Sequence, residues 1–399
     1  MTLMAGYAQA VITPSLERPV YMAGFGQNRR AEGVHDDLYV RALALHDGET
    51  TCVLAALDLI GLFRRDTYDI IGRVQAKVPG AQIILASVHP HHGPDTLGLW
   101  GPDSRTSGVD PEYMDFMKAE AVATILMSLA KLAPATFKTA CIEAPGTAKN
   151  ARHPEIKDEE LTLAQFLGRD GKPLVSLFNF PCHPEVLGEH NTQITADYVG
   201  YLREEVERLS GAPCIFFAGG LGGMMTPDVV EHSFPEAWAI GSQLAGKGLE
   251  ALAEVSAEGN IPVRRSWKMI HVKLTNILYK LAFRRKLLPD VRDRDGKVTS
   301  EVNLVRIGGL WLAAVPGELL PQLGLRLKRD LRKAGAQSAG ILGLANDELG
   351  YILPVDDFRY PINPLKPGKH YEETNSIGRG MAPAIMTALR DLIEGAKNV

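Results

Sequence analysis

No uninterrupted apolar span of about 18 residues occurs in this chain, so no transmembrane helix is expected. The start, Met1 to Tyr7, lacks a charged segment followed by an apolar one, and no secretion signal is read there. The four cysteines, Cys52, Cys141, Cys182 and Cys214, show neither the paired spacing of a thiolate metal site nor a disulfide framework. A reducing, cytoplasmic location is the expectation. An excess of one charge is missing too: the formal net charge is −4 and the pI is near 6.3, which excludes the concentrated basic surface of a nucleic-acid partner. No linker, charge block or internal repeat divides the 399 residues, so one catalytic domain over 1–399 is expected. What remains is ordinary: 45% hydrophobic and 23% charged residues, enough for a large core.

Strand-like runs alternate with helix-like ones. Thr51 to Leu57, Ala81 to Ala86, Leu174 to Phe178 and Cys214 to Phe217 read as strands. Asp66 to Lys77, Tyr113 to Leu132, Tyr198 to Leu209, Trp238 to Val255, Glu318 to Ala334 and Ile377 to Ala396 read as helices. Gly308-Gly309 supplies the turn of a hairpin. The fold class is therefore α/β, or mixed α+β, with layered sheets covered by helices and the chemistry at the carboxyl ends of strands. Lys280 to Leu288 mixes cations with bulky apolar residues. It reads as a solvated helix with a buried stripe, with a weak membrane-surface contact as the alternative.

Four apolar runs end at residues able to hold a metal. Ala81 to Ala86 leads to His89, His91 and His92, and Leu174 to Phe178 leads to His183. Leu310 to Val315 runs into Pro316-Gly317-Glu318, and Gly340 to Leu344 into Asn346-Asp347-Glu348 and Tyr351. His89 and His91, two apart on an extended segment, would project to one side. Both could bind one ion, or one could bind it while the other handles protons; surface histidines in a polar loop are the alternative. Glu318 could equally favour the dipole of a following helix. The Gly-rich loop Gly219 to Pro227 could face an oxyanion with its N–H groups, or could be a turn where the backbone passes close to the metal loops. It lacks the ending of a nucleotide P-loop. Together these features suggest a metal-dependent hydrolase.

With these residues in view, the sequence resembles the neutral (non-lysosomal) ceramidase family, zinc amidases that cleave the amide of N-acylsphingosines. The resemblance rests on Ala8 to Pro14, Gly24 to Gly26, Gly33 to Ala42, Asp58, His89 to Pro94, Phe180 to Pro184, the Gly-rich loop, Pro316-Gly317-Glu318 and Tyr351. It implies that His89, His183, Glu318 and Tyr351 bind one Zn2+ per chain. It also implies that His91 acts beside the activated water, that Arg152 faces the substrate carbonyl, and that Tyr371 supports the oxyanion. The family's catalytic-loop serine corresponds to Thr226, and Met224 stands where the family has Asp. The segment between Tyr351 and Tyr371, with Pro354, Pro361, Pro364 and Pro367, is longer than in secreted ceramidases, and the family's C-terminal sandwich domain and signal peptide are not seen.

The implied function is a zinc-dependent hydrolase cleaving a linear, ceramide-like N-acyl amide with metal-activated water. The substrate would be a small lipid-like amide or ester. An esterase or lactonase on the same zinc site, covalent catalysis by Thr226, and a non-catalytic ligand-binding relative are the alternatives.

Overall fold

Apolar runs that lack polar alternation need cover on both faces, and the computed structural model shows how this chain supplies it. It describes residues 2–285, 287–289, 291–293, 295–359 and 370–397. Lys286, Pro361, Pro364 and Pro367 lie outside the described residues.

One sheet has eight strands in the spatial order Cys214–Ala218, Pro173–Phe180, Glu160–Gly168, Ala133–Glu143, Met4–Val11, Tyr39–His46, Thr51–Leu57 and Gln82–Ser87. The two outermost pairings are parallel and the inner ones antiparallel. A second sheet orders Val263–Lys273, Lys297–Ile307, Leu310–Ala314 and Ser338–Leu342. Its central hairpin turns at Gly308-Gly309 as the sequence indicates, and only the Leu310–Ala314 and Ser338–Leu342 pairing is parallel.

Strand periodicity sorts these residues into layers. Cys52, Leu54 and Ala56 join a core shared with Leu310, Leu312 and Ala314, so the two sheets pack face to face there. The alternate residues Val53, Ala55 and Leu57 face helices Arg64–Gln75 and Pro111–Ala130. Trp311 and Ala313 likewise face Pro321–Lys333 and Met381–Ala396. Truncating one such buried leucine, Leu312→Ala for example, should cost about 2–5 kcal/mol. Two more helices, Tyr198–Ser210 and Phe234–Ala253, pack on each other and on the sheet edge that ends in Cys214–Ala218.

Buried polar groups fix the layers relative to one another. The Asn179 amide donates to Phe217 O at 2.9 Å in one sheet and to Ile341 O at 2.8 Å in the other. Arg203 makes two 2.8 Å bonds to Asp58, whose carboxylate also accepts from the Tyr39 N–H, so a helix is tied to the end of strand Thr51–Leu57.

The expected helix starting at Glu318 begins instead at Pro321, with Leu320 as its cap residue, and Glu318 lies in a two-residue strand, Glu318–Leu319. The helix-dipole explanation for Glu318 is thereby removed. The Lys280 to Leu288 region contains a short helix, Ile277–Arg284, which buries Phe283 and leaves Ile277, Leu278 and Leu281 exposed. Among the described residues the four cysteines are unpaired, and no helix is long and apolar enough to cross a membrane.

Candidate metal centre

Loops leaving the two sheets meet at one buried point. After strand Gln82–Ser87 the chain stays pinned, because Val88 N–H donates to Leu57 O at 2.8 Å and His89 N–H to Leu59 O at 3.0 Å. The expected extended geometry of this segment does not hold at His89, whose φ is +72°. A left-handed backbone at a non-glycine costs about 1–2 kcal/mol and persists where surroundings over-determine it. It does not separate the two rings: His89 and His91 still meet edge to face, with centroids 5.0 Å apart.

His183 follows strand Pro173–Phe180 by three residues, and its loop is joined to the first by the bond from His91 N–H to Pro184 O, 3.1 Å. The Nδ1 atoms of His89 and His183 donate to backbone carbonyls, Ile60 O at 2.5 Å and Met225 O at 2.8 Å. Those bonds fix the tautomer and leave each Nε2 lone pair for a ligand, the arrangement that metal-binding imidazoles ordinarily have. Both Nε2 atoms face Glu318, whose Oε2 is 3.2 Å from His183 and whose Oε1 is 3.9 Å from His89.

Glu318 and Tyr351 are brought together by main-chain pairing. Strand Glu318–Leu319 runs parallel to Tyr351–Ile352 with Glu318 opposite Tyr351, and Glu318 N–H donates to Gly350 O at 3.1 Å. The Tyr351 hydroxyl also reaches Met224 Sδ at 3.3 Å, so a thioether from the Gly-rich loop touches the phenol. His91 completes a compact group: one ring nitrogen each from His89, His91 and His183 lies within 4.8 Å of the others, and all three residues are buried. A buried group of this kind can hold a metal ion.

Charge states follow from burial. Burial lowers the His89 pKa to about 3 despite the Glu318 carboxylate, which keeps the imidazole neutral. Burial also works against a charged His183, yet the hydrogen bond to Glu318 and the charge of Glu185 raise its pKa above the ordinary value. Burial, then the Glu318 carboxylate, pushes the Tyr351 phenol well up.

Compared with known proteins, the sequence matches no protein-family model and no curated protein. The structure is informative where the sequence is not. The crystal structure of neutral ceramidase from Pseudomonas aeruginosa superposes on 100% of this chain and 75% of its own, with a TM-score of 0.81 at 18% identity. The chain has the neutral ceramidase fold. A ceramidase complexed with C2 gives the same TM-score at 17% identity, over 100% of this chain and 76% of that one.

Within this fold the remaining sequence-derived residues fall in different places. Tyr371 stands beside Tyr351, ring centroids 5.8 Å apart, and both line a cavity together with His89, His91 and Glu318. Arg152 does not line it. Its guanidinium is bound by Asp357 at 3.0 Å, by Glu373 at 2.8 Å and by Glu372, which ties it to the turn that follows Tyr371. Thr226, in the short strand Met225–Pro227, is also outside the cavity lining, on the side of Glu185, whose pKa it helps to lower. The Gly-rich loop is a close backbone crossing. A Cβ at Gly222 would lie 2.5 Å from Glu318 O, so only glycine lets the loop pass the ligand strand.

Of two further acidic residues at the site, Glu185 has no role in the sequence reading and Glu348 is only one of the polar residues on a strand-end run. Glu185 Oε2 lies 2.8 Å from His91 Nδ1. Although burial opposes its charge, the neighbouring His91 draws its pKa down to about 2. Its signal was the unbroken Pro181-Cys182-His183-Pro184-Glu185, where the acid follows a candidate ligand almost directly. Glu348, on the strand-end run that leads to Tyr351, lines the cavity; burial and then Glu318 push its pKa well up.

Proposed function

We propose that this protein is a zinc-dependent amidohydrolase that cleaves a linear, lipid-like N-acyl amide. The observation that carries the reading is the convergence of His89, His183, Glu318 and Tyr351, with both histidines' Nδ1 atoms occupied so that each Nε2 faces the carboxylate. Two imidazoles, a carboxylate and a phenol suit zinc, and this chain's residues fit it without rearranging the backbone. The ion would supply Lewis acidity, polarising a carbonyl and lowering the pKa of water from about 15.7 toward 7.

The chain's own residues account for the rest. His91 accepts a proton from the attacking water at Nε2 and returns it to the leaving amine nitrogen, while the charge of Glu185, 2.8 Å from Nδ1, stabilises the imidazolium. Tyr371 donates to the developing oxyanion. Arg152 acts as a positioning residue, holding the Glu372-Glu373 turn so that Tyr371 stays at the cavity. The apolar wall of Ile60, Phe63, Leu97, Leu99, Trp100 and Leu288 suits an acyl chain and excludes water. Exposed Ile277, Leu278 and Leu281, beside Lys280 and Arg284, are suited to a weak lipid-surface contact near the mouth. The whole chain acts as one catalytic unit, because both sheets supply site residues.

The test is metal analysis of purified protein followed by a panel of N-acyl amines, aryl esters and lactones. One zinc per chain and metal-dependent amide cleavage are expected. Cleavage of esters or lactones with inert amides would move the activity to an esterase or lactonase. A folded protein that takes up zinc and hydrolyses none of them would overturn it.

A further inference from the structure

The cavity has a second polar pole. Glu348 is 5% exposed and lines the same cavity as His89 and Tyr371. Its Oε1 accepts from the Gly350 N–H at 2.8 Å, while among the described residues no group donates to Oε2. A buried carboxyl oxygen without a donor is costly, and although Tyr279 stands nearby in the same lining, its hydroxyl makes no hydrogen bond to Oε2.

The position is built rather than accidental. Asp347, the preceding residue, accepts from Arg64 N–H at 2.9 Å and Ser300 Oγ at 2.8 Å, and Asn346 N–H donates to Leu85 O at 2.7 Å. The loop therefore cannot swing its acid away. On the opposite side a Cβ at Gly61 would lie 2.8 Å from Glu348 Cγ, so the glycine leaves room for the side-chain stem.

We infer that Glu348 is the substrate-selecting residue of this cavity, accepting a hydrogen bond from a hydroxyl or ammonium group on the amine half of the N-acyl amine. The inference rests on the amidase reading given above. A long acyl chain carries no such donor, so the amine half is the part that can supply it. Recognition of this kind discriminates strongly, because an analogue without the donor leaves the buried acceptor unpaired.

The experiment compares three octanoyl amides that differ at one terminal group: those of ethanolamine, propylamine and ethylenediamine. With the metal-loaded wild type, kcat/KM for at least one donor-bearing amide should exceed that for the propylamide by about 10-fold. Glu348→Leu should abolish that preference through KM and leave the propylamide within about 3-fold of wild type. Glu348→Gln, which like the neutral carboxyl keeps an acceptor oxygen, should retain the preference for the hydroxyl compound. An equal loss on all three substrates, or an undiminished preference in Glu348→Leu, overturns the inference. If the wild type hydrolyses none of the amides, the amidase reading fails, and calorimetric binding of the same three compounds still decides the selectivity of Glu348.

Discussion

Replacing Glu318 by alanine should weaken zinc binding far more than replacing His91. Two donor sets are geometrically available: the three histidines, or His89 and His183 with Glu318 and Tyr351. The proposed function takes the second: Glu318 lies 3.2 and 3.9 Å from the Nε2 atoms of His183 and His89, while His91 Nδ1 lies 2.8 Å from the Glu185 carboxylate. Four-ligand zinc sites bind with about 10–16 kcal/mol, so one ligand is worth roughly 3–4 kcal/mol, about 100- to 1000-fold in affinity. Glu318→Ala should lose about that much. His91→Ala should keep the affinity within about 3-fold while turnover falls about 100- to 10,000-fold, the span of general acid–base catalysis. Competition with a chromophoric chelator at neutral pH reads the affinity, and single-turnover amide cleavage reads the chemistry. If His91→Ala released zinc as readily as Glu318→Ala, the two roles would have to be exchanged.

Other consequences are equally open to measurement. Arg203→Met strands Asp58 in the core and should cost about 3–5 kcal/mol in urea unfolding, with little change in zinc affinity; a loss under about 1 kcal/mol would refute a structural role for the pair. Arg152→Ala should lower kcat without releasing zinc, and Arg152→Lys should not restore it, since a lysine cannot span Asp357, Glu372 and Glu373 together; retention of full kcat in either variant would remove Arg152 from the mechanism. Burial raises the Asp197 pKa to about 7, above an unfolded value near 3.8. The native state then binds the extra proton between these values, so this group's contribution favours folding in acid and is lost as pH rises toward 7. Asp197→Asn should therefore gain stability relative to wild type as pH is raised from about 4 to 7, as read by denaturant midpoints; a pH-independent difference would contradict the assigned shift.

Much of this was legible in the sequence because the signals were local. Apolar runs marked the buried strands, and the Gly308-Gly309 pair marked a hairpin. His89, His183 and Glu318 were each visible as a polar residue at a strand end. What could not be read was pairing between distant segments. The register of Glu318 with Tyr351 depends on a two-residue parallel ladder that no periodicity announces, so Glu318 looked equally like the start of a helix. Arg152 illustrates the opposite difficulty. Its short motif gives no sign of the carboxylates that hold its guanidinium, which lie more than 200 residues further along the chain. His89 was expected to be extended, because the alternation rule knows nothing of the carbonyls that hold its ring and backbone in the left-handed region.

The partition of the donors has a mechanical meaning. His89 and His183 belong to loops of the eight-stranded sheet, Glu318 and Tyr351 to those of the four-stranded one. A cation gripped by all four is a rivet through the seam between layers, so occupancy at 1000 times its dissociation constant adds about 4.1 kcal/mol of folding free energy. A chelator would then act on this protein as a mild denaturant, weakening the join between the two sheets.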